Sequence, residues 1–454
     1  MPAPLIISVS GLRGEIGATL TPEVAMRYAA AFSASLAGDD RPFVITRDGR
    51  AGGSALADAI AAALVSVGRS VIDAGIAATP TTGVLVRHLK AAGGIQISAS
   101  HNPRRFNGLK LFSAAGRVIP KAEGEAVLPV YRSFQTGPLP WVDVERLGKK
   151  SVCDETTSAH LNAVLATVDV EAIRAKKFRV LIDSNHGAGS LLGRPLLEAL
   201  GCEVVGVGQT PDGAFEHTPE PTAENLAPVL DTVRQAKVDI ALCQDPDADR
   251  LALIDENARY IGEEYTVAIC AKNRLAKEPG PVVINAATSR MTIDIAESFG
   301  QKCFRSPVGE ANVVDCMIAN GAVFGGEGNG GPIDPRVGFV RDSFVGMAMV
   351  LEAMALRDLP LSRLADELPS YAIIKRKVTL PAERIAAVLD GLAEKYAGEK
   401  VDRSDGVRVD FPCSWALVRA SNTEPIVRII VEAPDEAAAE ELCGRFQRDT
   451  EALA

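Results

Sequence analysis

The stretch FRVLIDSNHGAGSLLGRPLLEALGCEVVGVG (178–208) decides the fold class. A short apolar run, FRVLID, ends in a turn rich in Ser, Asn and Gly. A Leu-rich segment with helical spacing follows, and a second apolar run closes the unit. Apolar runs of that length bounded by Gly and Asn read as strands, and the segment between them as a helix. The rhythm recurs along the chain. PFVITRD (42–48) precedes GSALADAIAAALVSVG (53–68), SVIDAG (70–75) and GGIQIS (93–98), and the form returns in VDIALCQDPDADR (238–250), PVVINAATSRM (281–291) and AVFGGEGNGG (322–331). Such alternation predicts α/β domains with mixed, mostly parallel sheets, in which ligands collect at strand C-termini.

From PSYAIIKRKVTL (369–380) the pattern changes. Strands at 371–379, 406–410, 414–419 and 426–432 alternate with helices at 381–396 and 435–449, which predicts a smaller α+β domain at the end of the chain. Polar stretches at 135–157 and 256–262 read as further boundaries. The expected division is four domains: 1–145, 146–256, 257–368 and 369–454.

Composition narrows the function class. With 454 residues, 47 % hydrophobic and 23 % charged, the chain has material for several buried cores. No stretch approaches the ~20 apolar residues of a membrane-spanning helix, and the start, MPAPLIISVSGLRG, has no signal-peptide pattern. The expected address is therefore the cytoplasm, with no membrane partner. A net charge of −10 argues against nucleic acid as the main partner. Eight cysteines, at 153, 202, 243, 270, 303, 316, 413 and 443, lie scattered without zinc-like spacing and are expected to be reduced core residues.

Four stretches carry chemistry. ISASHNPRRFNGLKLF (97–112) places Ser100 and His101 in a turn at the end of an apolar strand, followed by basic residues. A hydroxyl there suits a nucleophile or phosphate carrier, although Ser, Asn and Pro also make ordinary turns. DPDADR (245–250) sets Asp245, Asp247 and Asp249 at alternate positions after an apolar strand. In an extended loop that period puts three carboxylates on one side, where they repel unless a cation such as Mg²⁺ neutralises them. Arg250, next to them, suits phosphate.

GGEGNGGPIDP (325–335) offers Glu327 and Asn329 for hydrogen bonds to sugar hydroxyls in a Gly-rich loop that lacks the Walker pattern. RASNTEPIVR (419–428) surrounds Ser421, Asn422 and Thr423 with Arg419 and Arg428, a cradle for phosphate, with a capped turn and solvated arginines as the plainer reading. A fifth, weaker element is SGLRGEIG (10–17), whose Arg13 lies between glycines.

In this order along the chain, SGLRG, SASHNP, DPDADR, GGEGNGG and RASNTEPIVR resemble one family, the α-D-phosphohexomutases, which include phosphoglucomutase/phosphomannomutase and phosphoglucosamine mutase. The resemblance implies four domains around a central cleft, each contributing one loop. Carried over by position, Ser100 is the phosphoserine, and Asp245, Asp247 and Asp249 hold Mg²⁺ together with a phosphoserine oxygen. Arg13, His101, Lys110 and Arg250 assist phosphoryl and proton transfer. Glu327 and Asn329 read the sugar, and Arg419, Ser421, Asn422, Thr423 and Arg428 anchor its phosphate. The implied reaction interconverts hexose 6-phosphate and hexose 1-phosphate by way of a hexose 1,6-bisphosphate, which also serves as activator.

The chain departs from that pattern at Asn329, where the family often has serine, and at Gly331, where it often has histidine. The latter puts a second histidine-based proton transfer in doubt. The form GGEGNGG looks most like phosphoglucosamine mutases, with a glucose/mannose enzyme as the alternative. A phosphatase or an idle sugar-phosphate-binding protein fits less well, because Ser100 and all three aspartates are intact and the paired-arginine anchor exceeds what a hydrolase needs. The expected assembly is a monomer or homodimer.

Overall fold

The computed structural model describes residues 3–36, 38–421 and 426–454. Four sheets follow one another along the chain. The first takes β1 (Ile6–Ser8), β2 (Gly11–Glu15), β3 (Phe43–Arg47), β4 (Val71–Ile76), β5 (Gly93–Ile97), β6 (Phe106–Ser113) and β7 (Lys150–Val152) in the order β1-β2-β6-β5-β3-β4-β7. The second takes β8 (Arg179–Asp183), β9 (Glu203–Val207), β10 (Ile240–Gln244), β11 (Leu251–Asp255) and β12 (Tyr260–Gly262) in the order β12-β11-β10-β8-β9. The third takes β13 (Val282–Asn285), β14 (Cys303–Ser306), β15 (Phe324–Glu327) and β16 (Gly331–Ile333) in the order β14-β13-β15-β16.

These three sheets share one construction. Parallel strands joined by helices make the centre, and the chain then reverses into an antiparallel neighbour: β5 into β6, β10 into β11, β15 into β16. The parallel runs are buried on both faces, as the continuous apolar segments require. The connecting helices bury one stripe. In Gly53–Ser66 it is Leu56, Ile60 and Leu64, spaced four apart, that pack against the first sheet.

The fourth sheet is wholly antiparallel: β17 (Ala372–Thr379), β18 (Lys400–Asp402), β19 (Val407–Asp410), β20 (Trp415–Ala420) and β21 (Ile426–Ala433) lie in the order β17-β21-β20-β19-β18. Helices Ala382–Lys395 and Glu436–Ala452 cover one face. The four-domain α/β architecture with a smaller closing domain is thus as expected.

Two features tie the domains together. Helix Ser343–Arg357 is buried from Ser343 to Ala355, and its Phe344 and Met347 belong to one apolar core with Ile182 and Leu242 of the second sheet and Phe324 of the third. A smaller seam of Ala286, Trp415, Leu417 and Ile430 joins the third domain to the fourth. Full burial of each large apolar side chain there contributes on the order of 2 kcal/mol.

Some local expectations need correction. Residues 260–262 form β12 rather than part of a turn, because Tyr260 and Gly262 pair with Ile254 and Leu253. All eight cysteines are free, but only Cys243, Cys270 and Cys443 are buried, and Cys413 is exposed in the turn between β19 and β20. No helix among the described residues is long and apolar enough to cross a membrane.

Candidate active site

The shared reversal fixes where the chemistry lies. Ser98–Arg105 joins β5 to β6, Asp245–Arg250 joins β10 to β11, and the Gly-rich loop joins β15 to β16. Each loop leaves the C-terminal end of a central strand.

Ser100 has φ +48°, in the left-handed region that non-glycine residues seldom occupy, and it is 3 % exposed. Its conformation is over-determined by its neighbours. The Ser100 amide donates to Ser98 Oγ at 2.8 Å, and Ser98 Oγ donates to Asp48 Oδ2 at 2.6 Å. Arg50, fully buried, is paired to the same Asp48 oxygen at 2.8 Å and donates to the carbonyls of Ser100, Asn102 and Phe106. A residue outside the sequence-based set therefore shapes the loop.

Ser100 Oγ donates to Asp245 Oδ2 at 2.8 Å, across the interface of the first two domains. The 245–250 segment is a compact turn, with Ala248 at φ +56°, and not the extended loop that the alternate spacing predicts. The three aspartates converge because Asp245 Oδ1 accepts from the amides of Asp249 and Arg250, both at 3.1 Å, which folds the turn back on its first residue. All three are buried, and one oxygen from each can be chosen within 4.8 Å of the others.

Lys110 Nζ bridges Asp247 Oδ2 and Asp249 Oδ2, each at 2.8 Å. Burial works against its charge, but the two carboxylates prevail and hold its pKa above the ordinary lysine value. Asp245 is held well above the usual carboxylate range by burial and by Asp247 and Asp249. Lys110 reaches only the Oδ2 oxygens of Asp247 and Asp249, and Asp247 Oδ1 and Asp249 Oδ1 are buried without any partner. Converging hard oxygens, two of them orphaned, fit a divalent cation with a preference for oxygen ligands.

The remaining residues frame this centre. His101 Nδ1 lies 3.4 Å from Ser100 Oγ, and burial together with Arg250 and Arg13 pushes its pKa down to about 2, so the ring is neutral. Arg13 donates to Asn102 Oδ1 at 2.5 Å. Arg250 reaches Glu220 Oε1 at 3.3 Å.

From the third domain Arg341, a second residue outside the sequence-based set, donates to Asp249 Oδ2 at 2.7 Å and to Glu327 Oε2 at 2.8 Å. With its amide oxygen assigned toward Arg341, Asn329 accepts from the same guanidinium at 2.7 Å. Glu327 Oε1 accepts from Asn285 Nδ2 at 2.7 Å and from the Gly309 amide at 3.1 Å. Ser100, His101, Lys110, the three aspartates, Glu327 and Asn329 thus form one hydrogen-bonded centre.

The fourth-domain residues stand apart from it. Arg419 pairs with Asp405 at 3.0 Å, and Arg428 lies opposite Arg419 in the register of β20 and β21. The Ser421 amide donates to the Ile426 carbonyl at 2.9 Å, while Asn422 and Thr423 lie outside the described residues.

Comparison with known proteins decides the family. Residues 5–135, 158–260, 263–371 and 373–448 match, in order, domains I, II and III and the C-terminal domain of phosphoglucomutase/phosphomannomutase. The chain belongs to this family. It is 39 % identical to a phosphoglucomutase/phosphomannomutase of Thermococcus kodakarensis, over 95 % of each chain. It is 30 % identical to a phosphoglucosamine/phosphogalactosamine mutase of Sulfurisphaera tokodaii, over 98 % of this chain and 99 % of the relative. A crystal structure of a family protein from Burkholderia thailandensis superposes with a TM-score of 0.83 at 26 % identity, covering 99 % of this chain and 98 % of that one.

Membership accounts for the order of the loops. Arg50 and Arg341 lie outside the five motifs that carry the resemblance. The signal for Arg50 in the sequence is RDGR (47–50), with two charged residues and a glycine before it at the end of an apolar strand. Arg341 precedes Asp342, whose Oδ1 accepts from the Phe344 and Val345 amides and caps a helix, so it reads as ordinary cap flanking.

Proposed function

We propose that the chain is a phosphohexomutase that interconverts hexose 6-phosphate and hexose 1-phosphate through phosphorylated Ser100. The observation that carries this reading is the contact of Ser100 Oγ with Asp245 inside a buried three-aspartate cluster. A serine in a strained turn beside a cation seat suits a phosphoryl carrier. Phosphoryl transfer needs alignment and neutralisation of oxygen charge more than it needs covalent help.

Asp245, Asp247 and Asp249 would hold Mg²⁺ together with an oxygen of the phosphoserine. When bound, the metal supplies charge neutralisation at the phosphoryl oxygens. Lys110 and Arg250 add positive charge on the chain's own side, and Arg13 steadies the turn through Asn102. Neutral His101 offers a hydrogen-bonding ring beside Ser100 Oγ without adding a further charge. In the first half-reaction the bond from phosphorus to Ser100 Oγ breaks and a bond to the oxygen of the free sugar hydroxyl forms, the hydroxyl proton ending on Ser100 Oγ, giving a hexose 1,6-bisphosphate. In the second half-reaction the other phosphate returns to Ser100, after the bisphosphate has turned over. Glu327 and Asn329 would read the sugar, and Arg419, Ser421, Asn422, Thr423 and Arg428 would grip its distal phosphate in either orientation.

For the hexose, the form of the 325–331 loop and the Sulfurisphaera relative favour glucosamine phosphate. The higher identity to the Thermococcus enzyme favours the second reading, glucose and mannose phosphates. The test is turnover of the 1-phosphates of glucosamine, N-acetylglucosamine, glucose and mannose with Mg²⁺ and a trace of hexose 1,6-bisphosphate, for wild type and Ser100→Ala. A preference that disappears in Ser100→Ala is expected. Isomerisation of none of them by phosphorylated, metal-loaded protein would end the mutase reading.

A further inference from the structure

The loop between β18 and β19 holds an aspartate, Asp405, whose single oxygen Oδ2 accepts two hydrogen bonds from different domains. One comes from Arg419 Nε at 3.0 Å, the other from the Val308 amide of the third domain at 2.9 Å. Gly406, at φ +77°, allows this approach, since a Cβ there would lie 2.3 Å from the Val418 carbonyl oxygen and 2.8 Å from Arg419 Cα. The turn is therefore pressed against the strand that carries Arg419.

Val308 is followed by Gly309, whose amide donates to Glu327 Oε1. Glu327 is in turn held by Arg341, which reaches Asp249. An unbroken line of short contacts runs from Arg419 through Asp405, Val308–Gly309 and Glu327 to the aspartate cluster. Among the described residues Asp405 is met by the Nε edge of Arg419, an orientation that points the two terminal nitrogens of the guanidinium away from the carboxylate, where an anion can take a two-pronged contact.

We propose that Asp405 is a positioning residue that fixes Arg419 for the distal phosphate and couples its grip to the sugar-reading Glu327. The inference rests on the mutase reading and adds a coupling to it. Phosphate held by Arg419 keeps Asp405 in place, Asp405 keeps the 308–309 segment in place, and that segment presents Glu327. A sugar phosphate with the wrong substituents disturbs both ends of the line.

The test uses the full chain and steady-state kinetics with glucose 1-phosphate and glucosamine 1-phosphate. Asp405→Ala is expected to raise KM about tenfold, the size of one charge-assisted hydrogen bond, and to shrink the kcat/KM ratio between the two sugars. Asp405→Asn keeps an oxygen able to accept from both donors, and retains KM and the ratio within about threefold. Asp405→Ala combined with Glu327→Gln discriminates no worse than Glu327→Gln alone, the mark of one coupled line.

Tyr371→Phe serves as control: it removes another contact near the junction of the third and fourth domains, Tyr371 Oη to Asp294 Oδ2 at 2.5 Å, and leaves the ratio unchanged. Should Asp405→Ala fail to fold, Asp405→Ser, whose shorter hydroxyl cannot reach both donors, takes its place. An unchanged ratio in Asp405→Ala, multiplying losses in the double variant, or a Tyr371→Phe that reproduces the shift would overturn the coupling. Wild type that turns over none of the four hexose 1-phosphates named above removes the mutase reading itself, a result visible before any variant is made.

Discussion

A β-carbon added to Gly331 would lie 2.4 Å from Cδ of Arg341. The glycine thus opens the path by which Arg341 reaches both Asp249 and Glu327. At the position where the resembling family often has histidine, this chain gives the space to an arginine from a later segment. Gly331→Ala is expected to displace Arg341 and to lower kcat/KM about tenfold or more, the cost of one charge-assisted contact. Arg341→Ala should fall by a comparable factor, and the pair together by no more than the worse single change. Steady-state kinetics on the three variants checks this, and multiplying losses would separate Gly331 from Arg341.

The orphaned oxygens of Asp247 and Asp249 make a second prediction. Chelation should stop turnover and lower Tm, and Mg²⁺ should restore both. At metal about a hundredfold above Kd the gain is about 2.7 kcal/mol, if the unfolded chain does not bind it. Calorimetry with EDTA and with Mg²⁺ reads the shift. Asp249→Asn should lose most of the Mg²⁺-dependent rise in Tm while still folding, because its Oδ1 can still accept from Arg341. A Tm indifferent to Mg²⁺ and EDTA, with turnover persisting in EDTA, would falsify the cation seat.

The loops were legible in the sequence because each is local. Ser100, Asp245 and Glu327 stand at strand ends, and strand ends show in periodicity and turn residues. How the aspartates converge was not legible. Alternate spacing suggested an extended loop, while the chain folds a tight turn held by amide contacts to Asp245. Arg50, Arg341 and Asp405 were missed for a related reason. Arg50 serves the carbonyl of Ser100 from a neighbouring strand end of the same sheet, while Arg341 serves Asp249 and Asp405 serves Val308 across domain boundaries, partners far apart in the sequence and brought near only by the fold. An arginine in a turn looks alike whether it faces water or three buried carbonyls.

Arg50 carries a third prediction. Its side chain is fully buried, pairs with Asp48, donates to three carbonyls of the 100–106 turn and packs over the Phe215 ring at 5.2 Å. Arg50→Ala leaves Asp48 charged and buried, a loss on the order of 3 to 5 kcal/mol. Arg50→Lys keeps the charge but loses the planar fork that spans the carbonyls, so turnover should fall further than stability does. Urea unfolding alongside kinetics distinguishes the two effects. Near-normal turnover in Arg50→Lys would show that the Ser100 turn holds its shape without the fork.

The last prediction concerns pH and a pair of glutamates outside the reacting centre. Glu263 and Glu264 open helix Glu263–Lys277 and line a cavity of 460 Å³ between the third and fourth domains, with Tyr371 and Lys375 opposite. Burial pushes both carboxyls up to about 7, against the lowering influence of Arg250 and Lys375 on Glu263 and of Lys375 and the Ser289 amide on Glu264. Glu263 Oε1 is buried without a partner. For an acid whose folded pKa exceeds its unfolded value of about 4.3, the folded chain binds the proton more tightly. The contribution to stability is then greatest at low pH and is lost as pH rises through 7. Between about pH 5.5 and about pH 8.5 each group withdraws on the order of 2 kcal/mol. Glu263→Gln removes its share, and should be the more stable protein at the alkaline end with a flatter slope. Tm measured across that range in saturating Mg²⁺, which keeps the aspartate cluster out of the comparison, decides the matter. Parallel curves for wild type and Glu263→Gln would mean that Glu263 is ionised in the folded chain throughout, with Arg250 and Lys375 outweighing its burial.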